Sequence, residues 1–186
     1  MKVGTDGVLL GAWFDMPAGS SVLDVGTGCG LIALMAAQRG ASSVDAVEID
    51  QAAAGEARRN VASSPWHEMI GVMNADFITA DLRCRYDRIV SNPPFFVTGE
   101  HAPDSSRAAA RHEGSLTIAA LLTRSRALLA PGGRVAMITP ADRYDDVVTQ
   151  AAFAGLDPVR LCRVSTKEGK PPVRIMWEFA VGSAPC

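Results

Sequence analysis

Cysteine is scarce and scattered in this chain. Its four residues, Cys29, Cys84, Cys162 and Cys186, show none of the short paired spacings that hold zinc or build a disulfide framework. A small disulfide-stapled fold and a structural metal site are therefore excluded, no metal is expected, and a reducing compartment fits. Long apolar runs are missing too, which excludes a membrane-spanning helix. The opening Met1 to Asp6 has no apolar stretch or cleavage signal of the secretory kind, so a cytoplasmic protein is expected. Lysine is rare: 15 of the 18 basic residues are arginine, whose planar fork suits phosphate and flat partners. Repeats and low-complexity tracts are absent.

What remains is the composition of one soluble domain spanning residues 1–186, with 48% hydrophobic and 20% charged residues. The net charge of −2 hides an asymmetry. Residues 1–82 hold 4 Lys or Arg against 10 Asp or Glu, and residues 83–186 hold 14 against 10. A basic second half points to an anionic partner on one side, and solvated surface arginine accounts for it equally well.

The periodicity alternates between strands and helices. Thr5 to Trp13 reads as a short helix capped by Thr5 or Asp6, with Val8, Leu9, Ala12 and Trp13 as its buried face. Ser21–Val25 is a strand, Gly26–Gly30 a tight loop, and Leu31–Arg39 an apolar helix stopped by Gly40. A strand over Ser43–Glu48, a helix over Gln51–Ala62 and a strand over Met69–Ala75 follow. Ile78–Arg83 reads as a short helix and Asp87–Ser91 as a strand. Gly99–Gly114 has no periodicity and reads as a long loop. Leu116–Leu129 is helical until Pro131-Gly132-Gly133 breaks it, Arg134–Thr139 is a strand and Ala141–Ala154 a helix. Leu156–Ser165 and Pro172–Val181 form a closing hairpin around the turn Thr166–Pro171. The pattern predicts an α/β fold: a seven-stranded, mainly parallel Rossmann-like sheet with helices on both faces and one antiparallel strand.

Four strand ends carry polar chemistry. Asp24 and the glycines Gly26, Gly28 and Gly30 lie at the end of the first strand, Glu48 ends the second, Asp76 ends the third with its carboxylate suited to the exocyclic amine of an adenine and Phe77 beside that ring, and Asn92 follows the fourth. Open α/β sheets bind ligands at such carboxyl ends. A glycine loop between strand and helix lets an adenosine-type cofactor approach the backbone and the free N–H groups of the helix. Glu48 lies 22 residues beyond Gly26, the placement of a carboxylate that accepts ribose hydroxyls. Gly28-x-Gly30-x-x-Ala33 also fits the dinucleotide fingerprint formally. The S-adenosylmethionine loop, Asp24 with Gly26-x-Gly28-x-Gly30, fits better, because two further carboxylates follow and the Asn-Pro-Pro-Phe turn has no use in hydride transfer.

That turn, Asn92-Pro93-Pro94-Phe95, stops its strand abruptly, since neither proline has an N–H to donate. Asn92 precedes a proline and is held extended. Its side-chain oxygen and the Pro93 carbonyl are suited to accept the two hydrogens of a planar amine, and Phe95 to stack on the ring that bears it. A plain strand-terminating turn is the alternative at these residues, as a solvated strand end is for Glu48 and a helix cap for Asp76.

Asp24-Val-Gly-Thr-Gly-Cys-Gly30 together with Asn92-Pro-Pro-Phe95 resembles the class I S-adenosylmethionine-dependent methyltransferases that act on exocyclic amino nitrogens. The opening Met1 to Trp13, Ser64-Pro-Trp66 and Arg111-His-Glu113 narrow this to a resemblance with the bacterial tRNA (adenine-N6) methyltransferases, which modify the adenosine beside the anticodon of a valine tRNA. The resemblance implies that Asp24, Gly26, Gly28, Gly30, Glu48 and Asp76 contact S-adenosyl-L-methionine. It implies that Thr5 and Asp6 lie near the methionine end and that Asn92 to Phe95 hold the target adenine of a tRNA substrate. Arg83, Arg85, Arg107, Arg111 and the stretch Lys167 to Arg174 are the candidates for phosphate contact. Glutamine-N5 and guanine-N2 methyl transfer use a similar turn, and a non-catalytic module on the same fold is the remaining alternative.

Overall fold

The computed structural model describes residues 4–82, 85–93 and 116–182. Helix α1 (Thr5–Trp13) leads into β1 (Ser21–Val25), α2 (Leu31–Gln38), β2 (Ser43–Glu48), α3 (Gln51–Ala62), β3 (Ile70–Asn74) and β4 (Tyr86–Ser91). Then come α4 (Ile118–Leu128), β5 (Leu129–Pro140), a 3-10 turn (Ala141–Arg143), α5 (Tyr144–Phe153), β6 (Leu156–Val164) and β7 (Arg174–Val181). The long loop proposed over Gly99–Gly114 lies outside the described residues, as do Pro94 and Phe95.

The strands form one seven-stranded sheet in the order β3-β2-β1-β4-β5-β7-β6. Neighbours from β3 across to β5 pair in parallel, and β7 runs antiparallel to both β5 and β6. One strand therefore opposes the other six, as the sequence predicts. Strand order reverses at β1: β2 lies on one side and β4 on the other. A crevice opens where such connections part in opposite directions.

Side chains alternate along each strand and so build two cores. Leu23, Val25, Ile89, Val135, Met137, Trp177 and Phe179 pack under α4 and α5. Val22, Val44, Ala46, Val90, Ala136, Ile138 and Met176 pack under α1, α2 and α3. Asp24 falls between Leu23 and Val25, so its side chain points to the α2 face.

Helix α1 differs from its sequence reading. Its buried positions are Gly7, Leu10 and Gly11, continued by Phe14, whereas Val8 and Ala12 are exposed and Leu9 and Trp13 partly so. The spacing i, i+3, i+4, i+7 is a regular helical face. It was hidden because two of its members are glycines. A Cβ at Gly11 would lie 2.6 Å from Met35 Sδ, and one at Gly7 3.3 Å from Leu31 Cδ2, so the missing side chains are what let α1 rest on α2. The N-cap is Gly4, with no side-chain cap bond, rather than Thr5 or Asp6.

Three other boundaries move. Residues 77–79 form a turn on the Asp76 carbonyl, which accepts Thr79 N at 3.1 Å and Ala80 N at 2.8 Å, and no helix occurs over the described residues 78–82. Helix α5 begins after a 3-10 turn. Strand β5 starts at Leu129, because Tyr86 pairs with Leu129 across a register shift that carries the chain past Pro131-Gly132-Gly133.

Candidate active site

The crevice is built at the carboxyl ends of β1, β2 and β4. After Val25 the backbone turns through left-handed conformations at Gly26, Gly28 and Gly30, with φ of 70°, 60° and 85°. Side chains resist that region, so glycine is required there. The Val47 carbonyl accepts Gly26 N at 2.8 Å and Thr27 N at 3.1 Å, which fastens the loop to β2. Among the described residues, a Cβ at Gly26 would meet nothing within 4 Å.

Two carboxylates brace this loop from opposite sides. Asp24 Oδ2 accepts Thr27 Oγ1 at 2.5 Å and Ala33 N at 3.0 Å, spanning from the loop to the first turn of α2. Its other oxygen, Oδ1, is buried and has no hydrogen-bond partner. Burial pushes the Asp24 carboxyl up to about 6, the bonds from Thr27 and Ala33 oppose the rise, and the nearby Glu48 adds to it. Glu48 Oε2 accepts Gly28 N at 2.9 Å and Oε1 accepts Asp50 N at 2.9 Å. Glu48 is thus tied to the glycine loop and to the start of α3, with lone pairs left over on both oxygens.

Four residues around these strand ends and the loop were not singled out from the sequence. Ile49 is 55% exposed beside Glu48, and Ile78 is 38% exposed beside Asp76. Asn74 Nδ2 donates to the carbonyls of Glu48 and Ile49 at 2.9 and 3.0 Å, fixing the end of β2. Asn60 Nδ2 donates to the Cys29 carbonyl at 2.8 Å and holds the far end of the glycine loop. The available signal was an isoleucine directly after each strand-end carboxylate or its neighbour, where the alternation of a buried strand stops.

Asp76 is exposed, and its Oδ1 accepts Ile78 N at 2.8 Å, closing a local turn. The Phe77 ring is not beside the crevice as expected. It is 4% exposed, lies in the core under α4, and carries the Arg124 guanidinium 5.4 Å from its centroid. The apolar ring left the edge strand for the interior, and Ile78 is what the turn leaves at the surface.

Asn92 follows β4 directly, next to the glycine loop. Ser91 Oγ donates to the Val25 carbonyl at 2.9 Å, and Ser91 pairs in register with Val25, so the two strand ends are fastened side by side. Asn92 is half-buried and Pro93 buried. The N-terminal turn of α1 stands over this point: a Cβ at Gly7 would lie 3.8 Å from Asn92 Nδ2. Asp6 is paired with Arg174 at the start of β7 (Nε to Oδ2, 2.8 Å), and Thr5 is exposed at the first helical position. Of the phosphate candidates, Arg85 donates to the Ala127 and Leu129 carbonyls at the end of α4, while Lys167 and Lys170 are exposed on the β6–β7 turn. Arg83, Arg107 and Arg111 lie outside the described residues.

A glycine loop braced by buried carboxylates, at the switch point of a sheet whose last hairpin reverses, defines a Rossmann-like methyltransferase. Residues 3–157 match the methyltransferase small domain family. A protein of Porphyromonas gingivalis named tRNA1(Val) (adenine(37)-N6)-methyltransferase is 48% identical over 96% of this chain and 74% of the relative. One of Bacteroides thetaiotaomicron with the same name is 45% identical over 100% of this chain and 79% of the relative. The solved ribosomal protein L11 methylase of Lactobacillus delbrueckii subsp. bulgaricus superposes with a TM-score of 0.68 at 19% identity, covering 95% of this chain and 78% of that one, a likeness of fold alone. The chain belongs to the methyltransferase small domain family and, within it, to the family of these tRNA1(Val) (adenine(37)-N6)-methyltransferases.

The crevice fits S-adenosylmethionine on its own features. Among the described residues, backbone approach is open at Gly26, a carboxylate ends β2, and the buried Asp24 Oδ1 has no partner. No described helix is long and apolar enough to cross a membrane.

Proposed function

We propose that residues 1–186 act as one cytoplasmic methyltransferase domain that methylates the exocyclic N6 amine of an adenosine beside the anticodon of a tRNA. The observation that carries this is the placement of Asn92: half-buried at the end of β4, fastened through Ser91 to the start of the glycine loop, and followed by a buried proline. The names of relatives at 45% and 48% identity support the tRNA adenosine.

S-adenosylmethionine, when bound, supplies a methyl group on a positively charged sulfur. Gly26, Gly28 and Gly30 let the backbone come close to it, Glu48 accepts ribose hydroxyls, and Asp76 with Ile49 and Ile78 borders the adenine. Thr5 and Asp6 lie toward the methionine end. Asn92 Oδ1 and the Pro93 carbonyl accept the two N6 hydrogens of the target, which draws the nitrogen lone pair out of conjugation and aims it at the donor. Pro94 and Phe95 complete the motif, Phe95 as the stacking ring for a base taken out of its helix. Alignment supplies most of the acceleration, and no strong base is required when the proton leaves after transfer.

The test is transfer of a labelled methyl group from S-adenosylmethionine to unmodified tRNA, with Asn92→Ala beside the wild type. The expected product is N6-methyladenosine, with turnover reduced at least about 100-fold in the variant and cofactor affinity little changed. Label in protein glutamine or in guanosine, or an active variant, would overturn the assignment.

A further inference from the structure

The two ends of α1 are held very differently. Its last carbonyls are clasped by arginines: Arg39 donates to Gly11 O at 2.7 Å and Phe14 O at 2.8 Å, and Arg160 donates to Trp13 O at 3.0 Å. Arg88 donates to Asp15 O at 2.6 Å, and the Asp15 N–H donates to the buried Glu178. These bonds satisfy the helix end and set cations against its negative pole. At the other end Gly4 supplies no side-chain cap, and among the described residues the side-chain pair there is Asp6–Arg174, roughly a third exposed on each side. That end is the one beside Asn92 and Leu31.

Helix α1 packs on α2 and reaches β5; Arg88 of β4 bonds the Asp15 carbonyl just past its last turn, and Asn92 lies beside its first turn. Arg174 opens β7 opposite Pro140, the last residue of β5, so its guanidinium comes from the same edge of the sheet as Asn92. We infer that Arg174 is a positioning residue for methyl transfer, acting through Asp6 to hold the N-terminal turn of α1 against the cofactor crevice. This rests on the reading of the crevice given above. Arg174 touches neither reactant. It fixes the helix turn that walls the site between Asn92 and the first residue of α2, and it links that wall to a hairpin 168 residues away in sequence.

A double-mutant cycle tests this, with Arg174→Ala, Asp6→Asn and the double variant, reading binding of S-adenosylhomocysteine by calorimetry. Arg174→Ala is expected to bind about fivefold more weakly, the upper range for a partly exposed pair, and to lose no further affinity when Asp6→Asn is already present. Arg174→Lys is expected to recover most of the loss. Raising the salt should weaken the wild type more than Arg174→Ala, because only the former has the pair to screen. Thermal midpoints should stay within about 2 °C, since surface ion pairs contribute little stability. An equal loss in the Asp6→Asn background, or unchanged affinity in Arg174→Ala, would overturn the inference. Wild-type protein that binds no S-adenosylhomocysteine would overturn the cofactor reading and this inference with it.

Discussion

Asp24 is a carboxyl group kept where a charge is costly. It is 1% exposed, Oδ1 has no partner, and a second carboxylate stands nearby. Burial raises its pKa from 3.8 to about 6. Between those values the folded chain holds a proton that the unfolded chain has released. The stability from this group is therefore complete below 3.8 and is lost as the pH rises through about 6. An asparagine there would keep an oxygen for Thr27 and Ala33 and remove the buried charge. Asp24→Asn is expected to stabilise the cofactor-free protein by about 1–2 kcal/mol at pH 7.5 and by nothing measurable at pH 4. Urea unfolding of both proteins at the two pH values decides it, and a gain of the same size at both would refute the buried charge as its source. A chain that retains this charge at a stability cost does so where a ligand or a loop needs it.

At the level of elements, a network of charges holds the chain just past the end of α1. Glu178, 1% exposed, pairs with Arg134 at 3.0 Å and Arg160 at 3.2 Å, while Asp15 pairs with Arg88 at 2.9 Å. Removing the carboxylate leaves the Asp15 N–H without its acceptor and takes one of two partners from each arginine, Arg134 keeping Asp15 at 3.5 Å and Arg160 the Trp13 carbonyl at 3.0 Å. Glu178→Ala is expected to cost about 3 kcal/mol, toward the lower end for a broken buried pair because the arginines reach solvent. A urea midpoint that falls at constant slope would show this, and a change below about 1 kcal/mol would mean that the network contributes register rather than stability. The same elements show what could be read from sequence. The inner strands were legible because parallel strands buried on both faces carry continuous apolar runs, as in Val22-Leu23 and Ile89-Val90. The face of α1 was not, because periodicity weighs bulk and its contact on α2 is made by Gly7 and Gly11. The start of β5 was not, because the pairing of Tyr86 with Leu129 is a tertiary fact that overrides the proline and glycines between. In the candidate site, Glu48 ends β2 and Asn92 follows β4 as the spacing placed them, whereas Asp24 lies buried within β1 and Asp76 two residues past β3. Ile49, Ile78 and the inward turn of Phe77 depend on which way each side chain leaves the sheet.

Across the whole molecule the work divides between the two sides of the sheet. The glycine loop, Glu48 and Asp76 belong to residues 1–82, the acidic part of the chain, and Asn92 and the terminal hairpin belong to residues 83–186, the basic part. A cofactor with a positive sulfur suits the first, and a polyanionic RNA suits the second. Ligand binding should therefore act on one side alone. S-adenosylhomocysteine at 100 times its dissociation constant should stabilise the protein by about 2.7 kcal/mol. In hydrogen exchange it should protect residues 26–30, 48–50, 76–78 and the first turn of α1, and leave 165–173 unchanged. The hairpin is expected to gain protection only when tRNA is added, through Lys167 and Lys170. Protection of 165–173 by the small molecule alone would contradict this division. Protection centred on the shallow groove of Arg58, His67 and Val72, at the outer edge beyond β3, would move the cofactor away from the switch point and remove the physical basis for every role assigned there.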